Sequence, residues 1–172
     1  MKKIIIIIVL VINQLLNAQV VFEVSTVGVY PVGQNQSFNY GAGFNIKAGY
    51  LVKNNLEITA DIEKVWLSGF AVKHTLSSFS GGIRYYPFKQ SLLFVGLGLG
   101  LYQSYLKLPD FEGQEMHFYE NSFGISPKIG VLFECGIIDN LYIPLQLSYN
   151  KVFTTNSFSF VSITAGLRYV LE

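Results

Sequence analysis

From residue 20 onward, apolar and polar residues alternate with a period of two in eight segments, separated by breaks rich in Gly, Asn, Pro or charge. That period belongs to strands with two unlike faces. The clearest segment runs from Leu56 to Trp66: Leu56, Ile58, Ala60, Ile62 and Trp66 share one face, and Glu57, Thr59, Asp61 and Glu63 the other. Leu93, Val95, Leu97, Leu99 and Leu101 oppose a nearly bare face containing Gly96, Gly98 and Gly100. The set Phe123, Ile125, Ile129, Val131 and Phe133 opposes Gly124, Ser126, Lys128, Gly130 and Glu134. Two more segments follow at 141–150 and 161–169, and three others lie at about 20–30, 40–52 and 76–86. The connections at 53–55, 87–90 and 136–140 are tight, whereas those at 31–39, 67–75 and 107–121 are longer. Short turns at one rim and longer loops at the other predict an up-and-down antiparallel arrangement of eight strands.

The first eighteen residues differ from the rest. Lys2 and Lys3 precede an unbroken apolar run, Ile4 to Ile12, and a polar stretch ends at Ala18. This reads as a secretory signal peptide, residues 1–18, followed by one domain over 19–172. The apolar run is too short to cross a bilayer as a helix, for which about 20 residues are required.

Composition narrows the choice. Of 172 residues, 51% are hydrophobic and 13% charged, against about 25% charged in an average soluble domain. The formal charge of +1 offers no basic excess for nucleic acid. A lone Cys135 can form neither an internal disulfide nor a Cys-rich metal site, and it reads as a small hydrophobe. No cofactor is indicated. The three glycines Gly96, Gly98 and Gly100 sit inside a strand with no helix after them, unlike a phosphate loop.

Two closed eight-stranded solutions fit the alternation, each the other turned inside out. A soluble lipocalin-like carrier would turn the fatty face inward, whereas a membrane barrel turns it to lipid. Ten of the sixteen glycines fall on the non-fatty face, too small and bare a surface for a solvated exterior but suited to the cramped inside of a narrow barrel. Charges on that face also nearly balance: Glu23, Glu57, Asp61, Glu63 and Glu134 against Lys47, Arg84, Lys128 and Arg168. These nine are the expected lumen network. Aromatic residues gather at strand ends, with Phe22, Tyr50, Tyr85, Phe133 and Tyr169 near the inner rim. Tyr30, Tyr40, Trp66, Phe79, Tyr105, Phe123 and Tyr149 fall near the outer one, as interfacial girdles would.

With this pattern on residues 19–172, the chain resembles the small outer-membrane β-barrels of Gram-negative bacteria, of the OmpA-domain and OmpX kind. The closing strand Ile163-Thr164-Ala165-Gly166-Leu167-Arg168-Tyr169-Val170-Leu171 resembles the family's terminal strand, although it ends in Leu171-Glu172 where the family has an aromatic residue. Pro127 and Pro144 interrupt two segments and are expected to mark bulges or strand ends. The resemblance implies an all-β, eight-stranded transmembrane barrel in the outer membrane with both termini periplasmic. It also implies outer-membrane lipid and lipopolysaccharide, and the barrel-assembly machinery, as partners.

Candidate chemistry is sparse. His74 and His117 are the two near-neutral bases, both expected in outer loops. His117 lies near Glu115, Glu120 and Ser122, but the spacing matches no nucleophile motif, and a triad is a matter of geometry rather than proximity in sequence. The loop 107–121 offers Asp110, Phe111, Glu112, Glu115, His117 and Phe118 to an extracellular partner of unknown nature; its acidic spacing is not that of an ordered calcium loop. The expected role is therefore structural or surface-directed and not enzymatic. A small passive pore is the alternative, followed by a lipid-modifying enzyme and a soluble carrier.

Overall fold

The computed structural model describes residues 19–33, 39–53, 55–68, 73–87, 92–108, 116–154 and 158–171. The segment expected to be a signal peptide, and Asp110, Phe111, Glu112 and Glu115, lie outside them. The eight strands are β1 (Gln19–Val32), β2 (Tyr40–Lys53), β3 (Leu56–Ser68), β4 (Lys73–Tyr85), β5 (Leu93–Leu108), β6 (Met116–Glu134), β7 (Leu141–Phe153) and β8 (Phe158–Leu171). Each pairs antiparallel with its neighbour in sequence, and β1 pairs with β8 from Val20↔Leu171 to Val32↔Ser159, so the sheet closes into a barrel with no free edge at the seam. Closure removes the unpaired N–H and C=O row that an open sheet would present. Both chain ends of the barrel lie at one rim, here termed the terminal end; the opposite rim is the loop end.

The strands run further than the alternation suggested. Most of the segment expected to be a long loop at 107–121 is the protruding end of the β5–β6 hairpin, paired up to Leu108↔Met116. His117 and Phe118 are therefore strand residues, both exposed. His74 is likewise in β4, and it is buried. Pro127 and Pro144 mark neither bulges nor ends. Each leaves a gap in one ladder while the register on both sides of the gap stays the same, Ile125↔Lys151 and Lys128↔Ser148 around Pro127, Tyr142↔Arg168 and Leu145↔Ala165 around Pro144. The register shift of β2 falls instead at Leu51/Lys53, beside the tight turn to β3. Cys135 lies just past β6, where its N–H donates to the Leu141 carbonyl and helps close the turn to β7.

Polarity is inverted relative to a soluble protein. Ile58, Ile62, Leu97, Leu99, Leu101, Leu147 and Ile163 are all exposed on the outer wall, whereas Glu23, Glu57, Asp61, Arg84 and Arg168 are at most 4% exposed. Girdle residues Phe22, Tyr85, Phe133, Tyr169, Tyr30, Tyr40, Trp66, Phe123 and Tyr149 are exposed on the same wall. Phe79 departs from the expectation, pairing with Ile62 halfway along β3 rather than at the rim.

The inward glycines make room for long side chains. A Cβ at Gly49 would fall 2.3 Å from Glu57 Oε1, one at Gly124 2.5 Å from the Tyr102 ring, and one at Gly130 2.4 Å from the Phe94 ring. The two faces thus respond oppositely to substitution. Leu99→Arg places a charge against lipid and lowers unfolding free energy by ~2–4 kcal/mol, whereas Gly130→Leu overpacks the lumen by ~1–3 kcal/mol or more. Urea unfolding in phospholipid vesicles measures both; a harmless Leu99→Arg would contradict the lipid-facing assignment.

Candidate functional site: the lumen and the loop-end rim

An interior as narrow as that of eight strands is filled by side chains, and here it is filled in layers. Nearest the terminal end, Tyr86, Phe94 and Leu132 form an apolar layer, with Leu51, Leu92 and Tyr142 packed against it. Phe94 occupies the space left by Gly130, and the Arg84 guanidinium carbon lies 4.4 Å from its ring centre. This stacking fixes the plane of the guanidinium for the layer above.

That layer is ionic. Glu23 receives a fork from Arg84, 2.8 Å to Oε2 and 3.1 Å to Oε1, and Lys47 donates to Oε1 at 3.0 Å. Arg168 donates to both oxygens of Glu57, at 3.1 and 3.0 Å, and the Tyr86 hydroxyl donates to Glu57 as well. The two halves join through Arg84 Nη1 and Glu57 Oε1, 3.8 Å apart. Gln146 accepts from Arg84 Nη2 at 2.8 Å. Higher up, Asp61 accepts from Lys128 at 3.1 Å and from the Ser80 hydroxyl. Glu63 is half-buried there.

Of the nine charges expected in the lumen, eight lie inside, four acidic and four basic. Glu134 does not join them. It shares their parity, but it ends β6 and is exposed at the rim. Its loss makes the balance complete, which matters because a buried charge without a partner is expensive.

Above the ions, a small cavity lined by Asn45, Asp61, Glu63, Ser126, Lys128 and Ser162, among others, has room for about one water. Asn45 Oδ1 and Ser126 Oγ have no protein partner and line this space. Toward the loop end the lumen turns apolar again. Val27, Val29, Val65, Leu67, Leu76, Tyr102, Val152 and Phe160 form a second cluster, and Tyr102 donates to Asn150 beneath it at 3.2 Å. The alternation had marked this face as polar throughout. Phe94 and Tyr102 were visible at inward positions, and their signal was a ring on one strand with a glycine near it on the next.

At the loop-end rim, Tyr105 stacks on His117 with ring centres 5.7 Å apart, and its hydroxyl is 2.7 Å from His117 Nδ1. Tyr119 also packs against Tyr105, ring centres 4.9 Å apart. Phe118 and Glu120 are exposed nearby. Ser122 is buried in the lumen, on the opposite face of β6 from His117, so these two side chains cannot meet as nucleophile and base. His74 bonds to Ser104 inside the barrel. Among the described residues no group of His, Cys, Asp and Glu could hold a metal ion.

Solved structures share this architecture. Neisserial surface protein A is 20% identical and superposes with a TM-score of 0.60 over 88% of this chain and 96% of its own. The chain has the fold of the small outer-membrane barrels. The N-terminal barrel domain of Pseudomonas aeruginosa OprF matches with a TM-score of 0.60 at 11% identity, covering 87% of this chain and 97% of that one. Ail, the attachment invasion locus protein of Yersinia pestis, matches at 0.59 with 16% identity, covering 88% and 97%. No family model and no curated protein sequence matches.

The ionic layer makes a quantitative prediction. Arg84→Met leaves Glu23 with Lys47 as its one hydrogen-bonded cationic partner and removes the fork that ties it to Glu57, at a cost approaching ~3–5 kcal/mol of unfolding free energy. Adding Glu23→Gln to that variant recovers part of the loss, so the double change costs less than the two single changes summed. Urea titration in vesicles gives the four values, and strict additivity would contradict the coupled layer.

Proposed function

We propose that the protein is an outer-membrane barrel whose lumen is closed to ions and solutes, and whose role is structural or surface-directed through its loop end rather than catalytic. The observation that carries this reading is the layering of the interior. Four cations neutralise four anions between two apolar clusters, so a hydrated ion entering from either end must pass Val65, Leu76 and Phe160 or Phe94 and Leu132 before it reaches the ionic layer. Dehydrating an ion there has no compensation. A partner would instead meet the rim residues His117, Phe118, Tyr119 and Glu120. Ail, of the same fold, was crystallised with the heparin analogue sucrose octasulfate, which supports ligand recognition as a use of such barrels. Outer-membrane lipid and lipopolysaccharide surround the wall, and insertion is assigned to the barrel-assembly machinery.

A small passive pore is the second reading, favoured by the small cavity lined in part by Ser126 and Lys128. A Cβ at Gly98 would lie 3.1 Å from Lys128 Nζ, so a large side chain there would push Lys128 toward that cavity and close it. Planar-bilayer recording separates the two readings. Residues 19–172 are expected to give no discrete conductance steps; steps that disappear on Gly98→Trp would establish the pore instead.

A further inference from the structure

Charge on the outer wall is confined to one end and to one sign. Among strand residues with described side chains, no Asp or Glu occupies an outward position, whereas Lys64 in β3 and Lys151 in β7 do. Both are exposed, on opposite sides of the barrel. With strands tilted by ~45° each residue climbs roughly 2.3 Å. Lys64, eight positions beyond Leu56, and Lys151, ten beyond Leu141, therefore stand ~18 and ~23 Å above the terminal end, in the upper third of an apolar band ~25 Å tall. Lys107 and His117 lie higher still on neighbouring strands.

Each of the two lysines lies beside an exposed ring on the outer wall. The Lys64 ammonium is 5.8 Å from the Trp66 ring centre, and that of Lys151 is 5.7 Å from the Phe153 ring centre. Neither forms an ion pair with a described residue. An ammonium has three N–H donors, and a ring face engages the charge without accepting all of them. A lysine at this depth lifts its head to the interface, where the groups able to complete its shell are lipid phosphates. Among strand residues with described side chains, then, the outward positions opposite the termini carry cations and rings and no carboxylate, and those near the terminal end carry neither sign.

We propose that Lys64 with Trp66, and Lys151 with Phe153, are two binding sites for the phosphate of an anionic lipid headgroup in the leaflet at the loop end. The sites give the barrel a preference for anionic lipid in that leaflet and set its depth there. This rests on the reading that the strands cross a membrane, and the test separates the two.

Trp66 is the single tryptophan of the chain and adjoins Lys64, so it reports on its own lipid neighbours. Residues 19–172 are reconstituted in vesicles of phosphatidylcholine mixed with acyl-brominated phosphatidylglycerol or acyl-brominated phosphatidylcholine, and quenching of Trp66 is compared. Anionic lipid is expected to be favoured about fivefold at this site, a preference lost in Lys64→Gln and retained in Lys151→Gln. A Trp66→Phe, Phe153→Trp variant reports the other site, where Lys151→Gln is expected to abolish the preference. Heat-modifiable gel mobility verifies that each variant is folded. Equal quenching by the two brominated lipids, or a preference that survives Lys64→Gln, would overturn the proposal while leaving the membrane reading intact. Quenching by neither would overturn both. Inorganic phosphate at millimolar levels, compared with sodium chloride of equal ionic strength, is expected to leave the preference unchanged; its loss would assign the sites to free phosphate and overturn the lipid assignment.

Discussion

Everything in this barrel depends on burying equal and opposite charge inside a cylinder too narrow for water to do the work. Eight strands enclose about one layer of side chains, and the outer wall below its loop-end edge, mostly Leu, Ile, Val and aromatic residues, offers a charge no refuge. Glu23, Glu57, Asp61 and Glu63 must meet Lys47, Arg84, Lys128 and Arg168 within that space. Guanidinium groups suit the task, since Arg84 and Arg168 each reach two carboxylate oxygens and hold several strands at once. The ties are long-range: Glu57 and Arg168 are separated by 111 residues in sequence. The ionic layer therefore reports closure of the whole barrel rather than the folding of any one hairpin.

The layers above and below follow from the same constraint. An ionic core open to water at both ends would be solvated and only weakly held. Rings and branched side chains at each end exclude water and strengthen the attractions between them. Glycine is the complement of every large group in this arrangement. Gly130 admits Phe94, Gly124 admits Tyr102 and Gly49 admits Glu57, so the inward face alternates bulk and absence from one strand to the next. A chemically active surface is then left to the exterior: aromatic and cationic groups at the loop end, bare hydrocarbon below.

Much of this was legible from the chain. Alternation located all eight strands, because a strand with lipid on one side and a packed lumen on the other cannot change parity without exposing charge to hydrocarbon. It also placed eight of the nine lumen charges. Glu134 was misplaced because parity gives the direction of a side chain but not its height, and at the end of β6 an inward position opens to water. Height also explains the apolar layers. Val27, Val29, Val65 and Phe160 break the polar face near the loop end, and only the closed barrel brings them into one cluster. The prolines misled for a different reason: a closed barrel tolerates a missing ladder bond while its neighbours hold the register, as at Pro127 and Pro144. The β5–β6 extension carried too many polar residues to read as strand, since beyond the membrane both faces meet water.

The central claim is the inverted polarity of the wall, and the most direct test is the environment of its outward residues. In a Cys135→Ser background, single cysteines at Leu93, Leu97, Leu101 and Ile163 carry a nitroxide in phospholipid vesicles, and collision with oxygen is compared with collision with a water-soluble nickel chelate. Strong oxygen and negligible nickel contact is expected at Leu97 and Ile163, with the balance shifting toward nickel at Leu93 and Leu101 nearer the rims. Frequent nickel contact at Leu97 and Ile163, or exclusion of both reagents as in a sealed core, would contradict the inverted polarity.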